Sequence, residues 1–211
     1  PAIPGIQFAD MAGGGMNGAI GVLLALVSRE RTGEGQYIDI SMTDSMVSFL
    51  PVVHRMQKLI GVPPRRSQSM LSHYYAFYNT YETSDKEYIS VGALEPHFWE
   101  RLCNHLDVPE YIPFQFDEEH REEIIDRFKE IFLTKTRIQW ERELSNLDAC
   151  CEPVLSPEEV LNSPHFHERK MIIETKNGEP AGTKMIGVPV KLSKTPGDIR
   201  SPEVEFGEST H

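Results

Sequence analysis

Phe8-Ala9-Asp10-Met11-Ala12-Gly13-Gly14-Gly15-Met16 is the stretch from which the rest of the chain is read. An acid stands directly before three side chains reduced to hydrogen. Met16, Ile20, Leu23, Leu24 and Val27 then recur at steps of three and four, which predicts an amphipathic helix over 13–31. An acid at a helix start accepts hydrogen bonds from free backbone N–H groups and sits at the positive end of the macrodipole. Glycines beside it let a ligand approach the backbone. Two readings follow for Asp10: an ordinary N-cap, or a carboxylate held beside an open surface.

Working outward, Arg29 and Arg31 suit the last helical turn, and Gly33 suits the left-handed position after it. Gln36 to Ile40 is expected as a short strand, and a helix–turn–strand unit of this kind suits α/β architecture. Ser41, with Asp44 three residues on, caps a second helix through Met42, Met46, Phe49, Val53 and Ile60. Pro51 should kink it or start a new turn. Gly61-Val62-Pro63-Pro64 opens a linker, 61–67.

Composition changes after the linker. Tyr74, Tyr75, Phe77, Tyr78 and Tyr81 crowd together, Thr83-Ser84-Asp85-Lys86 is a turn, and 87–92 alternates. This predicts a β-hairpin whose aromatic residues are core more readily than binding surface. Pro96 fits the first position of a helix through Trp99, Leu102 and Leu106. That places Glu95 at or beside its N-cap, a second acid between a strand end and a helix start. Further helices are expected over 117–134 and 136–146. An extended piece over 149–155 and a Ser156-capped helix follow. A strand pair, 171–174 with 184–186, is expected around Asn177-Gly178. From Pro189 onward the chain reads as an extended return segment, 189–211.

The formal charge of −11, from 21 basic and 32 acidic residues, argues against non-specific binding to nucleic acid. No run of 18 apolar residues occurs, so no membrane span is expected. Pro1 to Gly5 has no signal-peptide pattern, and Cys103, Cys150 and Cys151 show no framework spacing. Reduced thiols and a cytoplasmic setting are the expectation. There is no CxxC pair, so no metal site is expected. Gly13-Gly14-Gly15 is not a dinucleotide fingerprint.

Five ordered blocks carry a resemblance. They are Ala9–Gly15, Arg29–Gln36, Tyr78–Thr83, Val91–Trp99 and Asp148–Leu155. Together they resemble the family III CoA-transferases of the CaiB/BaiF type, nearest to the α-methylacyl-CoA racemase branch. The resemblance implies a Rossmann-like large CoA-binding α/β domain, of which 1–60 is a segment, plus a smaller α+β domain over 68–188 and an interlocked homodimer. It implies further chain ahead of residue 1, carrying most CoA contacts and a partner histidine; His54 and His73 do not match that histidine. It also implies that Asp10 is the catalytic aspartate and Glu95 a second active-site acid. Gly13, Gly14, Gly15 and Tyr78 would line the substrate. Coenzyme A would arrive as part of an acyl-CoA thioester, with no separate cofactor. The expected reaction is racemisation at the α-carbon of a 2-methylacyl-CoA. CoA transfer through an aspartyl-acyl anhydride is the alternative. A third possibility is a fragment acting only as a folding or dimerisation module. One departure stands out: Ser72-His73-Tyr74-Tyr75-Ala76 replaces the glycine-containing turn of the racemases and the glycine-rich loop of the transferases.

Overall fold

The computed structural model describes residues 5–60, 65, 68–174 and 184–199. It divides into two compact units, 1–72 and 73–211. The linker expected over 61–67 falls outside the described residues except for Arg65.

The first unit is helical among its described residues. A π-helical stretch, Ala9–Met16, runs without a break into α1, Asn17–Thr32, which ends on Gly33 at φ 79°. The helix begins earlier than its apolar period predicts. Phe8, with φ −61° and ψ −40°, already has helical geometry and occupies the cap position, so Asp10 lies inside the first turn and is not the N-cap. Ser41 does cap α2, Met42–Val47, accepting from the Asp44 N–H at 3.2 Å. Pro51 breaks the run and opens α3, Pro51–Ile60, as its missing donor requires. The strand expected at Gln36–Ile40 is not formed. A strand needs a ladder partner, and no described residue supplies one. Instead Ile38 and Ile40 close on Gly21, where a Cβ would stand 3.1 Å from each of their side chains.

The continuous helix Ala9–Thr32 is longer and more apolar than the run count suggests. It has 24 residues and a mean hydropathy of 1.5 over an 18-residue window, enough to cross a membrane by length and composition alone. Counting uninterrupted apolar runs missed it, because glycines and Asn17 interrupt the run without adding charge. Ile20, Leu23, Leu24 and Val27 are all more than half exposed.

The second unit has a sheet and a real core. Strands β1 (Tyr78–Glu82), β2 (Tyr88–Gly92) and β3 (Cys151–Pro153) form an antiparallel sheet in that order. The register runs from Tyr78 opposite Gly92 to Glu82 opposite Tyr88. Ile89 and Val91 face in while Tyr88 faces out, the period-2 pattern of a half-buried strand. Helices α4 (Pro96–His105), α5 (Arg121–Phe132) and α6 (Arg137–Leu144) supply the rest of the core. Trp99 stacks on Phe128 at 5.3 Å and Tyr81 on Phe132 at 4.9 Å. Phe77, Tyr81, Trp99, Phe128 and Phe132 are all fully buried, so this part of the aromatic cluster is core. Helix α5 starts later than 117. Asp117 ties back to the N–H groups of Glu119 and His120, which makes a turn there.

Helix α7 (Pro157–Asn162) has a full capping box between Ser156 and Glu159. A short α8 (Pro164–Glu168) leads to the hairpin of β4 (Ile172–Glu174) and β5 (Lys184–Ile186). The Asn177-Gly178 turn lies outside the described residues, as does 200–211 of the return segment.

Buried Arg137 links three elements. It donates to Val154 O at 2.8 Å, pairs bidentately with Glu159, and its backbone N–H reaches Asp85 at 3.1 Å. The guanidinium bonds, with help from Ser156, hold the Glu159 carboxyl down at about 2 against an ordinary 4.5. A depressed carboxyl adds stability above its unfolded pKa and loses it as pH falls through the folded one. The wild-type protein should therefore lose stability between pH 4.5 and about 2, and Glu159→Gln should flatten that limb. Urea midpoints measured across this range check it.

Candidate active site

Asp10 and the glycine run belong to the first unit; Tyr78 and Glu95 belong to the second. Asp10 is exposed, and no described residue hydrogen-bonds its carboxylate. The turn that carries it is wound in the wide π form, which recurs at functional sites. Glycines have no side chain to crowd the wider turn.

The three glycines differ in role. Gly13 is buried against α2: a Cβ there would meet Met46 Cε at 3.1 Å, Ser45 Cβ at 3.2 Å and Met42 O at 3.3 Å. Ser45 Oγ lies 2.9 Å from Gly13 O and accepts from Asn17 Nδ2 at 2.9 Å. Gly14 also faces Met42, at 3.4 Å. Gly15 is exposed, with only Asp10 O, at 3.7 Å, near its missing Cβ. Because the helix starts before the glycines, the N–H groups of Gly14 and Gly15 fall within its ladder and not at its open end. Gly13→Ala should destabilise by about 1 kcal/mol, because overpacking against α2 outweighs the gain in helix propensity. Gly15→Ala should stabilise by about 0.5–1 kcal/mol. Urea midpoints at constant m distinguish the two.

In the second unit, Tyr78 opens β1 and is 37% exposed. Its ring edge lies 4.0 Å from the Cβ position that Gly92 leaves empty, so the glycine gives the phenol its place. Gly92 N–H donates to Cys150 O at 2.8 Å. Asp148 and Cys150 both adopt positive φ, 51° and 52°, around buried Ala149, and this turns Cys150 toward the strand end. Arg101 pins the turn by donating to Asp148 O at 2.9 Å and pairing with its carboxylate.

Glu95 is the N-cap of α4, as Pro96 predicts, with φ −71° and ψ 138°. Its side chain makes no capping bond and is exposed. The carboxylate is therefore not consumed by the helix. Gln115, which the sequence gives no reason to single out, fixes this junction: its buried amide donates to Ala93 O at 3.3 Å and Leu94 O at 2.8 Å. Burial, followed by the carboxylates of Glu95, Asp148 and Glu152, raises the pKa of the Cys150 thiol. Burial pushes Cys103 and Cys151 up to about 12. All three thiols are poor nucleophiles at neutral pH. Asp10 and Glu95, the two acids the sequence predicts for the site, both carry exposed carboxylates with acid/base capacity.

Residues 1–210 match CoA-transferase family III. Over 177 residues the chain is 37% identical to alpha-methylacyl-CoA racemase of Homo sapiens, covering 83% of this chain and 46% of that protein. Over 182 residues it is 31% identical to succinyl-CoA:mesaconate CoA-transferase of Haloarcula marismortui, covering 84% and 45%. The solved structure of a CAIB/BAIF family protein from Brucella suis superposes with a TM-score of 0.73 at 24% identity, over 97% of this chain and 54% of that one. The chain spans about half the length of these relatives. With all but one of its 211 residues inside the match, the chain belongs to CoA-transferase family III, whose relatives named above are a racemase and a CoA-transferase.

Proposed function

We propose that the protein acts on acyl-CoA thioesters, removing and returning the proton at the α-carbon of a 2-methylacyl group. The observation that carries this reading is Asp10: an exposed carboxylate, unused by any cap, on a π turn beside an open glycine. The α-proton of a thioester is weakly acidic, and a positioned carboxylate takes it as general base and returns it as general acid. Inversion needs a second group on the opposite face. By resemblance that group is a histidine outside these 211 residues. Glu95 is assigned to the same reaction as a supporting acid, and Tyr78 as part of the acyl-CoA surface. The 37% identity to the human racemase supports the choice of reaction.

A second reading has its own support in the transferase relative, at 31% identity. There the Asp10 carboxylate attacks the thioester carbonyl, expels the CoA thiolate and forms an acyl-aspartyl anhydride. The protein also takes a partner in this proposal. The apolar residues that α1 exposes call for cover by further polypeptide, as part of a larger CoA-binding domain and a homodimer.

The test uses the full polypeptide that carries this chain, a 2-methylacyl-CoA and deuterated water. Deuterium entering the α-position with no added carboxylate supports racemisation. CoA moving to an added carboxylate, with hydroxylamine cleaving an acyl-aspartyl anhydride to leave a hydroxamate on Asp10 and free the acyl carboxylate, replaces it with transfer.

A further inference from the structure

The polypeptide that enters Tyr78 is held from a distant part of the second unit. Tyr74 and Tyr75 both donate their phenol protons to one carboxylate, that of Glu118, at 2.9 and 2.6 Å. Arg121 closes the same corner. It donates to Tyr74 O at 3.1 Å, its guanidinium lies 4.4 Å from the centre of the Tyr74 ring, and its Nε stands 3.8 Å from Glu118. Beneath them, Tyr75 stacks on Phe77 at 5.1 Å and 12°, and Phe116 packs against the Phe77 ring at 5.0 Å. Phe77 is fully buried. Burial and Glu118 raise the pKa of the Tyr75 phenol, which keeps it a donor through the neutral range.

What is held there is transmitted over a few residues. Tyr78 N–H donates to Tyr75 O at 3.2 Å, Tyr81 OH to Ala76 O at 2.8 Å, and Asn79 Nδ2 to His73 O at 3.4 Å. These bonds tie 73–80 together, and Tyr78 is part of that piece. The β ladder fixes Tyr78 only from its C-terminal side. On its N-terminal side the chain is held by buried Phe77, by Tyr81 at Ala76 O and by the corner at Glu118. Charge-assisted hydrogen bonds and a cation–π contact are the stronger polar interactions available to such a corner. Three such hydrogen bonds and one cation–π contact converge on Tyr74 and Tyr75, within four residues of Tyr78.

We propose that Glu118 and Arg121 are positioning residues that clamp the turn 73–77 and so set the place of Tyr78 on the acyl-CoA surface. Its link to substrate rests on the function proposed above; the clamp itself does not. Glu118 and Arg121 touch no reacting atom in this scheme, so substrate binding, not the proton-transfer step, should feel their loss.

The experiment uses the full polypeptide. Amide hydrogen exchange is followed at 74–80 and, as a control, at 124–132 in α5. KM and kcat are measured for α-proton exchange on a 2-methylacyl-CoA. Glu118→Ala should speed exchange at 74–80 about tenfold or more, leave 124–132 unchanged, and raise KM about fivefold with kcat within about twofold. Glu118→Gln, which keeps an acceptor, should recover most of both effects. The Tyr74→Phe/Tyr75→Phe pair removes only the two hydroxyls and should reproduce the alanine variant if that one fails to fold. Exchange at 74–80 that stays at the wild-type rate in a folded variant overturns the clamp. Faster exchange at 74–80 with KM unmoved overturns its role in binding. Absence of α-proton exchange in the wild type sinks the proposed function instead, and the exchange data at 74–80 still decide the clamp.

Discussion

Asp10→Asn should lower α-proton exchange on a 2-methylacyl-CoA by about 10²–10⁴-fold, the range that a positioned general acid/base contributes. Asparagine keeps the size and shape of the side chain and removes the titrating group. Asp10 is exposed and makes no side-chain bond to a described residue, so the fold has little to lose. Stability should stay within about 0.5 kcal/mol of the wild type. KM should change little, because the substitution removes chemistry and not surface. The measurement is deuterium incorporation by the full polypeptide, with a thermal melt beside it. An asparagine variant that exchanges within tenfold of the wild type would falsify the assignment of Asp10. Under the transferase reading the same variant also loses CoA transfer, and the acyl-aspartyl adduct disappears with it.

Trp99→Ala should cost about 3–5 kcal/mol. The indole is 1% exposed, stacks on Phe128 at 17° and meets Phe77 edge-on at 6.3 Å. Its Nε1–H donates to Tyr111 O at 3.2 Å, so truncation also leaves a buried carbonyl without its donor. Trp99 sits in the first turn of α4, at whose N-cap position Glu95 stands. A cavity there loosens the junction that presents Glu95. A large share of a typical domain's margin would be lost, and the urea midpoint of the second unit should fall accordingly. Trp99→Phe, which keeps most of the volume, should lose far less. Equal losses for both variants would mean that the hydrogen bond and not the packing dominates.

What could be read in the sequence was what is decided locally. Ser41 and Ser156 cap helices because the bond they make spans three residues. Pro51 and Pro96 mark helix starts for the same reason, and Pro96 placed Glu95 correctly at the end of a strand. The hairpin around 83–86 was legible from its alternation and its turn. Features that depend on distant partners were not. Gln36–Ile40 has the composition of a strand, but composition cannot supply a neighbouring strand. Residues 118–119 look like the acidic start of a helix, yet Glu118 lies before α5 and serves tyrosines 43 and 44 positions away. Gly13 looked like a place for a ligand, and its missing Cβ is needed by α2. Gln115, with its two strand–helix carbonyls, left no trace in any local pattern. The π winding also escaped, because a search at 3.6 residues per turn assumes the α form.

That winding has a consequence for the length of the glycine run. A π turn is an α turn with one residue too many, so the direction in which Asp10 points is fixed by a count as much as by composition. Deleting Gly15 would let the stretch relax to the α form. Everything on its N-terminal side would then rotate by about 100° around the helix axis and draw in by about 1.5 Å. Asp10 would survive in the sequence and leave its direction in space. The insertion, more than any single side chain in it, aims the carboxylate.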